Sequence, residues 1–252
     1  MLTFAYILST LIVSSHSSEY IMFFDPMYII LMIPVAIFSF YAQAKVKSNF
    51  NKFSKIPNRS NLTGREVAEL ILKRNGVTTV AVKKTGGWLS DHYSSAEKVL
   101  RLSEGVYNSN SIAAIGIAAH EAGHAIQHHT GFSIMQLWLS FAKPASIASN
   151  MSIWLIMIGS MINFMGLAIF GFFLFLFVVI FQIITLPVEF DASNRAKKLL
   201  TDYNIISASD KKGVNSVLDS AALTYIAAAT ASVVQLLYWA IRLGLLGGRR
   251  ND

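Results

Sequence analysis

The chain has 252 residues, of which 54% are hydrophobic and only 14% charged, well under the quarter usual in soluble domains. With a mean hydropathy of +0.49, that balance excludes an ordinary soluble domain and marks a membrane protein. The absence of cysteine excludes a disulfide framework and a thiolate metal site. The net charge of +7 does not point to nucleic acid, because residues 1–44 hold no Lys or Arg and the basic residues gather after them, as membrane topology requires.

Residues 1–21 form an apolar extension to which the sequence assigns no role. They lack the basic start of a signal peptide, and Met22 is a second candidate start. Residues 22–44 make the first span, with an uninterrupted apolar run from Met27. Lys45, Lys47, Lys52, Lys55 and Arg59 follow at once, which places this end in the cytoplasm. Residues 45–143 then read as a cytoplasmic, water-facing region. Thr63 and Glu66 make a capping box, Val67, Leu70 and Ile71 supply an apolar stripe, and Gly76 ends that helix. Residues 77–83 and 98–102 are strand-like, separated by Gly86-Gly87 and the polar run 90–96. A strand lying just before the next helix can offer its free edge to an extended peptide. A plain two-stranded ribbon covering that helix explains the same residues equally well.

The next helix, within residues 111–131, carries His120-Glu121-Ala122-Gly123-His124, an HExxH sequence. Residues four apart share a helix face, so His120 and His124 can aim two imidazole nitrogens at one zinc ion. Glu121 lies roughly 100° round the helix and can reach a water held by the metal without ligating it, as a general base does. Ala118, Ala119, Ala122, Gly123 and Ala125 sheathe the helix in small side chains, which predicts burial under neighbouring helices. Buried imidazoles and a buried carboxylate need partners.

Residues 144–188 contain no charge, enough for a transmembrane hairpin of two spans turning near Asn163 and ending at Pro187. The hairpin returns the chain to the face it left, so residues 189–220 supply the second half of the zinc site, and within them Ser207 and Asp210 can begin another helix. A third protein ligand is needed there. His128 is two turns beyond His120, about 12 Å along the axis, and both it and His129 read as solvated residues at the helix end. Gln127 and Thr130 stand where HExxHxxGxxH would need glycine and histidine. Of the two downstream carboxylates, Glu189 shares its face with Ala192, Ser193, Ala196 and Leu200, whereas Asp191 lies with Arg195 and Lys198. Periodicity favours Glu189 as ligand and an i,i+4 ion pair for Asp191. Residues 221–246 form the last span and 247–252 a tail. The count is four spans, or five if residues 1–21 also cross.

HEAGHAIQH, the preceding KVLRLSEGVYNSNSIAAIG and the later LPVEFDASNRA together resemble the bacterial YugP-like family of integral-membrane neutral zinc metallopeptidases. More distantly the chain is similar to gluzincins such as the HtpX-type and CAAX-prenyl membrane proteases, which carry an ExxxD-type second motif. The resemblance implies His120, His124 and Glu189 as zinc ligands and Glu121 as catalytic base. Ser193 stands where the wider clan has aspartate, so a contact from that position to a ligand histidine would be made by a hydroxyl, or replaced by Asp191 or Asp219.

The expectation is a mainly α, multi-span helical membrane protein with a small α+β zincin-like catalytic region between spans. It is expected in the bacterial inner membrane with its site in the cytoplasm, as a zinc endopeptidase acting on peptides or proteins, membrane proteins included. The competing reading is a zinc-stabilised scaffold or chaperone partner; a transporter is weaker, because ionisable residues are missing from the middle of the spans. Tyr93, His92, Arg195, Tyr203 and Tyr225 are all candidates for stabilising an oxyanion, and the sequence does not choose among them.

Overall fold

The computed structural model describes residues 25–246; the extension 1–21 and the tail 247–252 lie outside them. Helix α1 (Pro26–Phe53) starts at Asp25, whose side chain accepts from the Met27 N–H at 2.9 Å, with Pro26 in the first turn where its missing N–H costs nothing. Ile37 and Phe40 are 64% and 71% exposed on it, a disposition suited to lipid rather than water.

The water-facing region follows. Helix α2 (Gly64–Arg74) has both bonds of the Thr63–Glu66 capping box, and Gly76 takes φ +72 just past its end. Three strands come next: β1 (Ala81–Thr85), β2 (His92–Ser94) and β3 (Val99–Ser103). The sheet order is β1-β3-β2, with β1 parallel and β2 antiparallel to β3. This corrects the two-stranded expectation. β3 is the central strand and has no free edge; the edges belong to β1 and β2. β2 arises in the polar run read as a separator, since nothing in His92-Tyr93-Ser94 shows apolar alternation. It is fixed by its pairing with β3 and by the Asp91 carboxylate, which accepts from the Ser103 N–H and hydroxyl. After a short turn, α3 (Glu104–Tyr107), the HExxH helix α4 (Ile112–His129) begins with the Ser111 hydroxyl accepting from the Ala114 N–H.

Helices α5 (Ser133–Met161) and α6 (Met165–Asp202) form the hairpin, and α7 (Ala208–Arg242) opens with a Ser207–Asp210 capping box. The hairpin turns at Asn163, φ +54. Its arms nearly touch: a Cβ on Gly159 would lie 2.5 Å from the Ala168 nitrogen, and one on Gly171 2.8 Å from the Ser152 carbonyl oxygen. Pro187 does not end the span. It sits inside α6, which runs on as one rod to Asp202, so a single helix joins the apolar segment to Glu189 and Ser193. Likewise α7 carries the expected helix start near residue 207 and the expected last span in one continuous element.

Among the described residues three helices, α1, α6 and α7, are long and apolar enough to cross a membrane. The arm α5, expected as a further span, is not among them; it carries Gln136, Ser140, Lys143, Ser149 and Asn150. One core surrounds α4, with Ile71, Leu100, Leu102, Leu200 and Leu218 packed against its alanines. A second joins α5, α6 and α7 through Ile156, Phe172, Phe175, Tyr238 and Trp239.

Candidate metal centre

The site begins with the smallness of α4. Ala118, Ala119, Ala122 and Ala125 are fully buried, and a Cβ on Gly123 would lie 2.9 Å from the Ala192 carbonyl oxygen. With no side chain at 123, α4 and α6 cross almost backbone to backbone. That crossing sets His120 and His124 against Glu189. The two Nε2 atoms are 3.1 Å apart, and Glu189 Oε2 lies 3.3 Å from His120 Nε2 and 3.7 Å from His124 Nε2.

These distances suit a metal better than a hydrogen-bond network. Zinc bonded tetrahedrally at 2.0–2.1 Å separates its ligand atoms by about 3.3 Å, close to the spacings found. Glu189 Oε2 is buried and has no partner of hydrogen-bond geometry, an orphan that costs free energy unless something positive meets it. Both imidazoles also present lone pairs to the common point. The Gln127 amide donates to the Val188 carbonyl and to Asp191 Oδ2, each at 2.8 Å, so its oxygen faces His124 and accepts the Nδ1 proton at 2.9 Å. His120 Nδ1 lies 3.1 Å from the Ser193 hydroxyl. With each Nδ1 engaged, each Nε2 is left free for a cation. The residues fit zinc, and His120, His124 and Glu189 form a group able to hold a metal ion.

A family model described as "putative neutral zinc metallopeptidase" matches residues 28–244. The chain belongs to this family. A curated relative, the "putative membrane protease YugP" of Bacillus subtilis strain 168, is 44% identical over 211 residues, covering 84% of this chain and 94% of the relative. No solved structure matches significantly. Zinc is the ion that membership of this zinc metallopeptidase family implies, and the helices described above agree with a membrane-bound member.

Around the ligands, each remaining candidate has a place. Asp191 does not reach the cluster; it accepts from Gln127 and pairs with Arg195 at 2.5 Å. Asp219 pairs with Lys197, away from the histidines. The hydroxyl of Ser193 makes the contact to His120, where Asp191 and Asp219 do not. Gln127 escaped the sequence reading, where it counted only as a departure from a longer motif. It is fully buried, three residues after His124 and on the same side of α4, and that spacing was the available signal. His128 is not simply solvated as expected: it is half-buried, with Nδ1 2.8 Å from the Tyr93 hydroxyl, while His129 is exposed.

Beside the ligands on α4 stands a further acid, Glu121. It is buried between two cavities and lines both. Burial pushes its carboxyl above the ordinary range, His120 and His124 oppose the shift, and the Glu189 and Asp91 carboxylates reinforce it. A carboxylate raised in this way is a stronger base at neutral pH. For His124 burial disfavours the charged ring, but the neighbouring Glu189 and Glu121 carboxylates outweigh it and raise the group to about 9 in the metal-free protein.

One cavity is bounded by His92 and Tyr93 of β2, His124, Glu189, and Trp138 and Met135 of α5. The other is bounded by Val46 and Phe50 of α1, Leu89, Ile117 and Val217. Of the oxyanion candidates, His92 Nδ1 meets the Ser90 carbonyl, Tyr93 meets His128 and Arg195 is held by Asp191, while Tyr203, whose hydroxyl accepts from Asn75, lines neither cavity. Tyr225 of α7 lines both cavities.

Proposed function

We propose that the chain is a zinc endopeptidase of the bacterial cell membrane, working on the cytoplasmic face, with Glu121 as general base. The observation that carries the reading is a buried carboxylate beside a His-His-Glu cluster, opening into two cavities where two membrane-crossing helices meet the water-facing region. His120, His124 and Glu189 would hold the ion. When bound, zinc supplies a Lewis acid for the scissile carbonyl and lowers the pKa of a water.

The chain's own residues account for the rest. Glu121 takes one proton as the water oxygen adds to the carbonyl carbon. It delivers that proton to the amide nitrogen as the C–N bond breaks. The second water proton follows the same route, so the products are a carboxylate and an ammonium group. Gln127 and Ser193 keep the imidazoles in the ligating tautomer. The exposed edge of β2, at the mouth of the first cavity, offers backbone groups to an extended substrate strand. Peptides and proteins are the substrate class, and membrane proteins suit a site bordered by α1, α5 and α7.

A purely structural zinc has no use for a buried Glu121 facing open cavities, and this weighs against the scaffold reading. The deciding experiment is Glu121→Gln on the purified full chain, with casein and unfolded membrane protein as substrates. Zinc content should stay at the wild-type level while cleavage falls by a factor of about 100 or more. Undiminished cleavage would remove Glu121 from the mechanism. A wild-type protein that holds zinc yet cleaves nothing would favour the scaffold.

A further inference from the structure

We infer that Tyr225 is a catalytic residue of this site, its hydroxyl donating a hydrogen bond to the carbonyl oxygen of the scissile peptide when that oxygen becomes negative. The inference rests on the peptidase reading above and adds a residue to it. Tyr225 reaches the centre from α7, a different helix from those that carry the metal ligands and base. It lines the two cavities that meet at Glu121 and is half-buried, its hydroxyl facing the Glu189 carboxylate. Of the other four candidates, Arg195 and Tyr203 line neither cavity, Tyr93 is bonded to His128 and His92 Nδ1 to the Ser90 carbonyl, which leaves Tyr225 as the candidate that lines both cavities beside the ligands.

The chemistry of the site favours a phenol there. Glu121 and Glu189 already place two carboxylates round the reacting position, and a lysine or arginine would be drawn into an ion pair with one of them, as Arg195 is with Asp191. A neutral donor is not captured in that way. When water adds to the carbonyl carbon, the π pair moves onto the carbonyl oxygen and one water proton goes to Glu121. Glu121 is then the proton carrier and cannot also stabilise the oxygen. Tyr225 keeps its proton throughout; it supplies a hydrogen bond that strengthens as charge develops and weakens when the C–N bond breaks and the nitrogen takes the proton from Glu121.

The test is Tyr225→Phe, which removes one oxygen and leaves the ring. With a peptide substrate, kcat should fall by about 100-fold while KM stays within threefold and zinc content is unchanged. Affinity for a phosphinic peptide, tetrahedral at phosphorus, should fall by a similar factor. In a Glu121→Gln background, which binds substrate without turnover, Tyr225→Phe should change substrate affinity less than threefold. A kcat within threefold of wild type, or an undiminished affinity for the phosphinic peptide, overturns the inference. Equal losses of substrate and phosphinic-peptide affinity also overturn it, placing Tyr225 in cavity packing. If the wild-type protein cleaves nothing, the peptidase reading fails separately, and phosphinic-peptide affinity, which needs no turnover, still decides for or against Tyr225.

Discussion

At the residue scale the centre is a contest between protons and a cation for the same lone pairs. His124 is raised from its ordinary 6.5 to about 9 in the metal-free protein. The folded value is above the unfolded one, so the stability this group gives the metal-free protein is complete below pH 6.5 and lost as pH rises through about 9. A zinc ion must displace that proton, so apparent zinc affinity should weaken by about tenfold for each unit of pH below 9. Competition titrations with a fluorescent chelator between pH 6.5 and 9 would measure the slope, and a flat profile would contradict it. The supports of the imidazoles make a second prediction. Gln127→Ala frees His124 Nδ1 and also strips Asp191 of a donor, while Ser193→Ala removes the partner of His120. Each should lower zinc affinity by about 10- to 100-fold, read by the same titration, with Asp219→Asn as a control that changes nothing. His120, Glu121 and His124 were legible because one turn of helix relates them. Gln127 was not, because what makes it matter lies more than sixty residues away on α6.

At the element scale, the position of α4 against α6 decides whether the ligands meet. Gly116 and Gly123 lie on the same helix in very different surroundings. A Cβ at 116 meets nothing closer than Val214 Cγ1 at 3.8 Å, whereas one at 123 meets the Ala192 carbonyl at 2.9 Å, backbone that cannot swing aside. Gly116→Ala should therefore be neutral or gain up to about 1 kcal/mol from helix propensity. Gly123→Ala should cost about 1–3 kcal/mol and weaken zinc binding, by moving Glu189 away from the histidines. Thermal unfolding of the two variants, with zinc and with chelator, separates the cases; equal effects at both positions would show that the close crossing does not set the site. Helix starts were legible at this scale, because Thr63–Glu66 and Ser207–Asp210 are local devices. The strand β2 was not, since its register comes from β3 and from Asp91 reaching Ser103. Pro187 misled for the opposite reason: a strong local breaker is overridden where the packed rod of α6 continues through it.

At the scale of the whole molecule, the helices share one polarity. The Tyr238 hydroxyl donates to Asp25 Oδ2 at 2.9 Å, tying the end of α7 to the start of α1. Tyr28 packs with Tyr238 and with the core that holds Phe172 and Ala168 of early α6. The start of α1, the α5–α6 turn and the end of α7 therefore lie together, and the metal centre lies at the other ends of the same helices. From Met165 to Glu189 α6 rises about 36 Å, more than the roughly 30 Å of a bilayer's hydrocarbon, so the proposed membrane peptidase would have its turn and its centre in opposite compartments, with α5 carried across alongside α6. Lys45, Lys47 and Lys52 near the end of α1, Lys55 and Arg59 after it, and Lys197, Lys198, Lys211 and Lys212 gather towards the end that holds the centre, which is why the proposed function puts that side in the cytoplasm. The chain has no cysteine, so single cysteines report topology without background. In intact cells a membrane-impermeant maleimide should label Met161→Cys, at the exposed end of α5. Lys198→Cys, exposed beyond the ligands on α6, should be labelled only after the membrane is opened. Labelling of Lys198→Cys in intact cells would put the catalytic face outside, and labelling of both only after opening would mean that α6 does not cross.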